Sequence, residues 1–274
     1  MTTPLVTSAW LNTNFDNPSL IILDASLKDN QSSLETNLGN LQIKKARFFD
    51  IKQTFSDTNT VLPNTLASPE KFEIEAQKLG INKDSTIVIY DHLGIYSSPR
   101  AWWMFKSMGH ENVAVLDGGL PDWIKEGFSV EEKKSNPIYA KGNFEAQFIS
   151  TSVKDKEQIL QNIQTEVALL IDARGEKRFH GIGDEPRLGL RSGHIPGSIN
   201  IPYTQLLQDG KFLSKEALLK LLPLSDKPLF FTCGSGVTAC IDLLAYELIS
   251  KNPKSIYDGS WTEWGQLENL PIEK

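Results

Sequence analysis

The chain has 274 residues, of which 40% are apolar and 23% are charged, and its formal net charge is −6. These values are ordinary for a globular protein, and the length suits two domains of about 130 residues each. The negative charge argues against a basic surface of the kind that binds nucleic acid or anionic membrane. We therefore expect neither of these as a partner.

The first half of the chain alternates predicted strands with predicted helices. Apolar runs at 21–25 and 87–91 are typical of buried parallel strands. Ser68-Pro69 marks a helix start, with serine as the N-cap and proline at the first helical position, and Ser98-Pro99 opens another helix. The polar stretch 131–143 that follows favours a linker.

Three segments of the first half recur in the second half in the same order. The matched pairs are 21–26 with 169–174, 87–91 with 229–233, and 115–119 with 256–260. Three matches in order point to a duplication. Alternating strands and helices predict an α/β fold with a mostly parallel sheet in each half. We expect an N-terminal domain over 1–140 and a C-terminal domain over 150–274.

Cys233 stands between a predicted strand and a predicted helix over 237–249. In open parallel sheets, ligands bind beyond the carboxyl ends of the strands. Gly234 and Gly236 allow backbone N–H groups to turn inwards, and the helix N-terminus attracts anions and favours a nucleophilic thiolate. A buried structural cysteine is the alternative, but the matching residue is Asp91, and a core position would not exchange cysteine for aspartate.

The Cys-Gly-Ser-Gly-Val-Thr loop, the repeated Asp-Gly-Gly/Ser segment followed by tryptophan, and Ser-Gly-His-Ile-Pro-Gly-Ser at 192–198 carry a family resemblance. Together they resemble tandem rhodanese-domain sulfurtransferases, most of all the 3-mercaptopyruvate type, over about residues 5–270. The resemblance implies two tandem rhodanese-like α/β domains. Only the second is expected to be catalytic, because family members keep the cysteine there.

The resemblance also implies a reaction in two halves. The thiolate of Cys233 takes sulfur from a small anionic donor, 3-mercaptopyruvate, and a persulfide remains when pyruvate leaves. Cyanide or a thiol then accepts the outer sulfur, and a thioredoxin-like protein is a candidate partner. Loop N–H groups would stabilise the sulfur anion, so we assign substrate contacts to Gly234, Gly236, Val237 and Thr238. We also expect Thr238 to bond the loop or cap the helix.

Further residues follow from the same resemblance. Arg178 and Arg187 have the nine-residue spacing with which the mercaptopyruvate type holds the substrate's carboxylate and keto oxygen. A solvated loop with surface ion pairs is the alternative. Ser235 polarises the substrate or relays a proton, or is simply a small turn residue. The family completes a serine triad with Asp and His, but Lys52 and Thr60 stand at those positions, so we do not expect the triad.

Other chemistries are less compatible with the sequence. A cysteine phosphatase needs an arginine six residues after the nucleophile, and Ala239 stands there. No Cys and His set has zinc spacing, so we expect no metal and no cofactor, and Cys240 is interpreted as a core residue. Residues 1–10 lack the pattern of a signal peptide, and two cysteines suit the cytoplasm. A thiosulfate sulfurtransferase and a persulfide carrier for a dedicated partner stay open as alternative functions.

Overall fold

The computed structural model describes residues 1, 3–28, 36–133 and 137–274. The chain divides into two compact units. Unit 1 comprises Met1–Asp57, Leu66–Ile149 and Asp209–Phe212, and unit 2 comprises Thr58–Thr65, Ser150–Gln208 and Leu213–Lys274. The short segment Thr58–Thr65 therefore packs with unit 2, although it lies in the first half of the sequence.

Unit 1 is built on a parallel five-stranded sheet. The strands of the whole unit are β1 (Leu5–Val6), β2 (Leu20–Asp24), β3 (Leu41–Ile43), β4 (Arg47–Phe48), β5 (Thr86–Tyr90), β6 (Val113–Leu116), β7 (Val130–Glu132) and β12 (Lys211–Phe212). Its helices are α1 (Ser8–Thr13), α2 (Pro69–Lys78), α3 (Ser98–Ser107) and α4 (Gly119–Lys125). The sheet has the order β1-β6-β5-β2-β4.

The predicted linker over 131–143 begins inside a strand. β7 pairs with β3 in antiparallel orientation, with Gln42 opposite Glu131. The expectation of a linker from 131 onwards is therefore wrong at its first two residues, because the pairing with β3 outweighs their polar character. Residues 134–136 of the stretch lie outside the described residues.

Unit 2 repeats the same architecture. Its strands are β8 (Val153–Lys154), β9 (Leu169–Asp172), β10 (Ile199–Asn200), β11 (Leu207–Gln208), β13 (Leu229–Thr232) and β14 (Lys254–Tyr257), and its helices are α5 (Lys156–Thr165), α6 (Glu176–Phe179), α7 (Lys215–Leu221), α8 (Ala239–Ile249) and α9 (Ser260–Trp264), with 3-10 turns at Ser150–Ser152 and Tyr203–Leu206. The parallel sheet has the order β10-β9-β13-β14-β8.

The strand orders of the two sheets correspond. Reading the second sheet in reverse gives β8-β14-β13-β9-β10, in which each strand occupies the place of its sequence counterpart in β1-β6-β5-β2-β4. One backbone contact is repeated as well: Ala25 N donates to Tyr90 O at 2.9 Å, and Ala173 N donates to Thr232 O at 2.9 Å. The duplication inferred from the sequence is thus present in the backbone.

The serines at the helix starts and the apolar character of the strands explain why these helices and strands form. Ser68 caps α2 by accepting a hydrogen bond from Lys71 N at 3.3 Å, and α3 begins at Ser98. β13 is buried along its whole length, as a strand covered on both faces by helices should be. Within the described ranges, no helix combines the length and apolar character needed to cross a lipid bilayer.

Candidate active site

Cys233 directly follows β13, the central strand of the unit 2 sheet. β9 and β14 flank this strand in parallel orientation, so the cysteine lies at the carboxyl edge of the sheet. Its side chain is buried, with the residue only 2% exposed. The helix α8 begins shortly afterwards at Ala239, as the sequence predicts for a strand-loop-helix site.

The loop after Cys233 is fixed by the start of α9. Trp261 N donates to Cys233 O at 2.9 Å, and Thr262 donates to Gly234 O from its N at 2.9 Å and from its Oγ1 at 2.6 Å. Ser260 adopts the left-handed conformation, with φ +50, in order to begin this helix. These bonds hold the carbonyl groups of the loop. They explain why an Asp-Gly-Gly/Ser segment accompanies the strand-loop-helix segment in each half of the sequence.

Several N–H groups of the loop are available to a ligand. Within the described part of the chain, the backbone N–H groups of Gly234, Ser235, Val237 and Thr238 have no hydrogen-bond partner. We call these four groups the anion cradle. Gly236 lies among them with φ +78, a left-handed conformation that glycine adopts at low cost. Donors clustered before a helix N-terminus bind anions.

The equivalent loop of unit 1 carries its own anion. Asp91 Oδ2 accepts hydrogen bonds from the backbone N–H groups of Tyr96, Ser97 and Ser98 at 2.9, 3.0 and 2.9 Å, and from Ser98 Oγ at 2.7 Å. Leu120 N donates to Asp91 O at 3.0 Å, as Trp261 N does to the carbonyl of the cysteine. The first loop is therefore filled by a carboxylate, whereas the second offers its donors to a ligand.

Arg178 and Arg187 both lie beside the cysteine loop. A Cβ atom placed on Gly234 would lie 3.3 Å from Arg178 Nη2 and 3.8 Å from Arg187 Nη1. Arg187 also donates from Nη2 to Ser235 Oγ at 3.3 Å. The structure therefore brings the two arginines together next to the cradle, and both guanidinium groups can meet an anionic substrate there.

A buried network of charges orients Arg178. Arg178 Nε donates to Glu185 Oε2 at 3.1 Å, and Arg174 Nη1 donates to Glu185 Oε1 at 3.1 Å. Arg174 also binds Asp172, with Nη2 2.7 Å from Oδ2. The side chains of Arg174 and Asp172 are each 1% exposed, so this pair holds the network at the sheet edge.

Two acidic groups near the cysteine have raised pKa values, which favour their neutral forms. Asp242 on α8 is completely buried, and neither of its carboxylate oxygens has a hydrogen-bond partner within the described residues. Burial raises the pKa of Asp242 well above its ordinary value, and the negative charges of Cys233 and Asp172 raise it further. Burial also raises the pKa of Tyr203, with a further contribution from the charge of Cys233. Neutral neighbours do not oppose a thiolate.

The remaining predicted residues have simpler surroundings. Thr238 occupies the N-cap position of α8, but its side chain makes no capping hydrogen bond to the described residues, so of its two expected roles the helix cap is wrong. Val237 is buried at 6% exposure. Cys240 is completely buried and its Sγ lies 3.3 Å from Gly236 O, which is the core position expected for it.

Comparison with known proteins identifies this architecture. A family model described as rhodanese-like domain matches residues 7–126 and again residues 155–267. The chain belongs to the rhodanese-like domain family. The predicted class, two tandem rhodanese-like α/β domains with mostly parallel sheets, is therefore confirmed.

Relatives match the rhodanese-like chain over nearly its whole length. A 3-mercaptopyruvate sulfurtransferase from Escherichia coli strain K12 is 37% identical over 280 residues, which cover 99% of this chain and 98% of the relative. A thiosulfate sulfurtransferase from Rattus norvegicus is 38% identical and covers 95% and 91% of the two chains. The crystal structure of the Escherichia coli 3-mercaptopyruvate sulfotransferase SseA has a TM-score of 0.83 and 35% identity, with 95% and 99% coverage.

Three residues of this rhodanese-like site were missed in the sequence. Glu185 was interpreted only as part of a charged loop, although an acid that follows Arg174 and Arg178 so closely in the sequence is a natural partner for both. Asp242 interrupts an apolar helix, which is a signal of a buried polar group. Asn64, whose amide contacts Ser235, follows a Leu-Pro pair, where asparagine is typical of a turn with positive φ.

Proposed function

We propose that the protein is a sulfurtransferase that takes sulfur from 3-mercaptopyruvate, holds it as a persulfide on Cys233 and passes it to cyanide or a thiol. The observation that carries this proposal is the contrast between the two loops. Asp91 fills the first one with its own carboxylate, while the second has Cys233 and the anion cradle, whose N–H groups have no partner among the described residues. The names of the relatives support the same reaction class.

In the first half-reaction, the Cys233 thiolate attacks the sulfur of 3-mercaptopyruvate. An S–S bond forms while the C–S bond breaks, and the electron pair of that bond leaves as the enolate of pyruvate. The enolate takes a proton from water, and Cys233 keeps the outer sulfur as a persulfide. The anion cradle stabilises negative charge on that sulfur through preorganised N–H donors, which cost no reorganisation during the reaction.

In the second half-reaction, an acceptor removes the outer sulfur. Cyanide attacks it, a C–S bond forms, and the S–S electron pair returns to Cys233 as a thiolate, so that thiocyanate leaves. A thiol acceptor follows the same course and becomes a persulfide itself. We propose a thioredoxin-like protein as an acceptor of this kind, and the cytoplasm as the setting, because both require free thiols.

Relatives named for either donor have similar identity to this chain, so the residues beside Cys233 distinguish the two donors. Thiosulfate is a compact dianion that would favour a cation within the loop, where Gly234 and Ser235 are uncharged. Mercaptopyruvate carries its carboxylate away from its sulfur. Arg178 and Arg187 lie beside Gly234 and are suited to that carboxylate and to the keto oxygen.

Steady-state kinetics with both donors tests this proposal. With cyanide as the acceptor, we expect kcat/KM for 3-mercaptopyruvate to exceed that for thiosulfate by at least about tenfold, or roughly 1.4 kcal/mol. Pyruvate and thiocyanate should form in equal amounts. Equal efficiency on both donors would favour the thiosulfate alternative. Sulfur release only to an added protein partner, with little turnover of cyanide, would favour the persulfide carrier.

A further inference from the structure

Ser235 has an unexpected neighbour from a distant part of the sequence. Asn64 belongs to the segment Thr58–Thr65, which packs with unit 2. Its Nδ2 lies 3.1 Å from Ser235 Oγ and 3.2 Å from the backbone carbonyl oxygen of the same residue. Asn64 adopts the left-handed conformation, with φ +61. This turn conformation is one that asparagine tolerates better than most residues.

The direction of these hydrogen bonds is fixed by chemistry. A carbonyl oxygen can only accept, so the amide group facing the carbonyl of Ser235 must be the NH2 of Asn64. The same NH2 group therefore donates to Ser235 Oγ. Arg187 donates to this oxygen as well, at 3.3 Å, because a guanidinium has no acceptor.

A hydroxyl group has two acceptor sites and one proton. Asn64 and Arg187 use both acceptor sites of Ser235 Oγ, and within the described residues this hydroxyl has no hydrogen-bond acceptor for its proton. The proton is therefore left for a ligand bound at the cysteine loop. A histidine partner would instead take that proton, as in the serine triad that the family resemblance implies.

We infer that Asn64 is a positioning residue: together with Arg187 it leaves the Ser235 hydroxyl only as a hydrogen-bond donor. Of the two roles that the family resemblance offers for Ser235, this arrangement selects polarisation of the keto oxygen and not proton relay. The inference rests on the proposed function. As the C–S bond breaks, negative charge develops on the keto oxygen, and a hydroxyl that already points there stabilises it. Ser235 keeps its proton throughout, so the step needs no base at this position.

Two substitutions separate positioning from simple packing. Asn64→Asp replaces the NH2 donor with a carboxylate that accepts the proton of Ser235 and turns it away from the substrate. Asn64→Gly removes the side chain but tolerates the positive φ, so the hydroxyl becomes free to rotate. Asn59→Asp adds the same charge at an exposed position of the same segment and is the matched control. Ser235→Ala gives the effect of losing the hydroxyl.

With 3-mercaptopyruvate at pH 8, we expect Asn64→Asp and Ser235→Ala each to lower kcat by about tenfold or more, and Asn64→Gly to lower it less. Activity of Asn64→Asp relative to wild type should recover as the pH falls and the new carboxyl is protonated. The discharge of a preformed persulfide by cyanide involves no keto oxygen. Its single-turnover rate should therefore change by less than about twofold in these variants.

The outcomes distinguish this inference from the proposed function. If the wild-type protein releases no pyruvate from 3-mercaptopyruvate, both fail. If the wild type is active but Asn64→Asp matches Asn59→Asp, only the inference fails. It also fails if Asn64→Gly loses as much activity as Asn64→Asp with no dependence on pH, or if both half-reactions slow equally, since either result indicates a structural role.

Discussion

The Glu185 carboxylate accepts a bifurcated hydrogen bond from Arg178 Nε, at 3.1 and 3.3 Å, and a second bond from Arg178 Nη2 at 2.5 Å, with its side chain only 2% exposed. The same carboxylate accepts a bond from Arg174, which in turn binds Asp172. Charges therefore alternate from the end of β9 to the cysteine loop. Arg178 is held against Gly234 by a buried partner rather than by solvent, which gives its guanidinium a defined orientation towards a ligand.

Glu185→Gln should loosen Arg178 and destabilise unit 2. Removing one charge from a buried ion-pair network leaves the others uncompensated, so we expect unfolding free energy to fall by about 3 kcal/mol. The KM for 3-mercaptopyruvate should rise about tenfold, because a misplaced guanidinium binds the carboxylate poorly. Urea denaturation and initial rates measure the two effects. Glu268→Gln, at an exposed position, is the control, and an unchanged KM would show that Arg178 needs no such support.

Arg187→Ala should weaken the use of mercaptopyruvate more than that of thiosulfate. Loss of a hydrogen bond to a charged group costs about 1.5–3 kcal/mol, or roughly 10- to 150-fold in kcat/KM. The control is Lys177→Ala on α6, where the side chain is exposed. Rates with both donors measured on each variant decide the matter. A variant that loses nothing on mercaptopyruvate would refute the role given to Arg187.

The sequence predicts the parts of this site that follow from local pattern. The repeated Asp-Ala and cysteine segments place Ala173 against Thr232 as Ala25 lies against Tyr90, because buried parallel strands have a recognisable composition. The contact of Asn64 with Ser235 spans 171 residues of sequence. Such a pairing depends on which unit a short segment joins, and no periodicity encodes that choice.

Asp242→Asn should stabilise the protein increasingly as the pH rises. The pKa of Asp242 is raised in the folded state, so the folded protein binds its proton more tightly than the unfolded chain does. Wild-type stability therefore falls above the ordinary aspartate pKa of about 3.9, by at most about 1.4 kcal/mol per pH unit, until the folded pKa is reached. Asparagine has no proton to lose.

Thermal unfolding at pH 5 and pH 8 measures this effect. The melting temperature of Asp242→Asn relative to wild type should be higher at pH 8 than at pH 5. Asp226→Asn, on an exposed aspartate, should give the same difference at both values. If Asp242→Asn also behaves identically at the two pH values, the carboxyl is not protonated in the folded protein.

Asp91→Asn should destabilise unit 1 without abolishing sulfur transfer. The carboxylate accepts four backbone N–H bonds and one hydroxyl bond in a buried loop, and charge-assisted bonds are roughly twice as strong as neutral ones. We expect a loss of about 2–4 kcal/mol in urea denaturation and a kcat/KM within about twofold of wild type. Asp84→Asn, at an exposed position, is the control. Lost activity with unchanged stability would give Asp91 a direct role in the reaction.

The mass of the intact protein after mixing with 3-mercaptopyruvate, without an acceptor, tests the central claim most directly. Wild type and Cys240→Ala should each gain the mass of one sulfur atom, mapped to Cys233, and lose it when cyanide is added. Cys233→Ser should fold normally and gain nothing, because its hydroxyl is not ionised and cannot carry sulfur in this way. A wild-type protein that releases pyruvate with no sulfur on Cys233, or a Cys233→Ser variant that still transfers sulfur, would contradict the account.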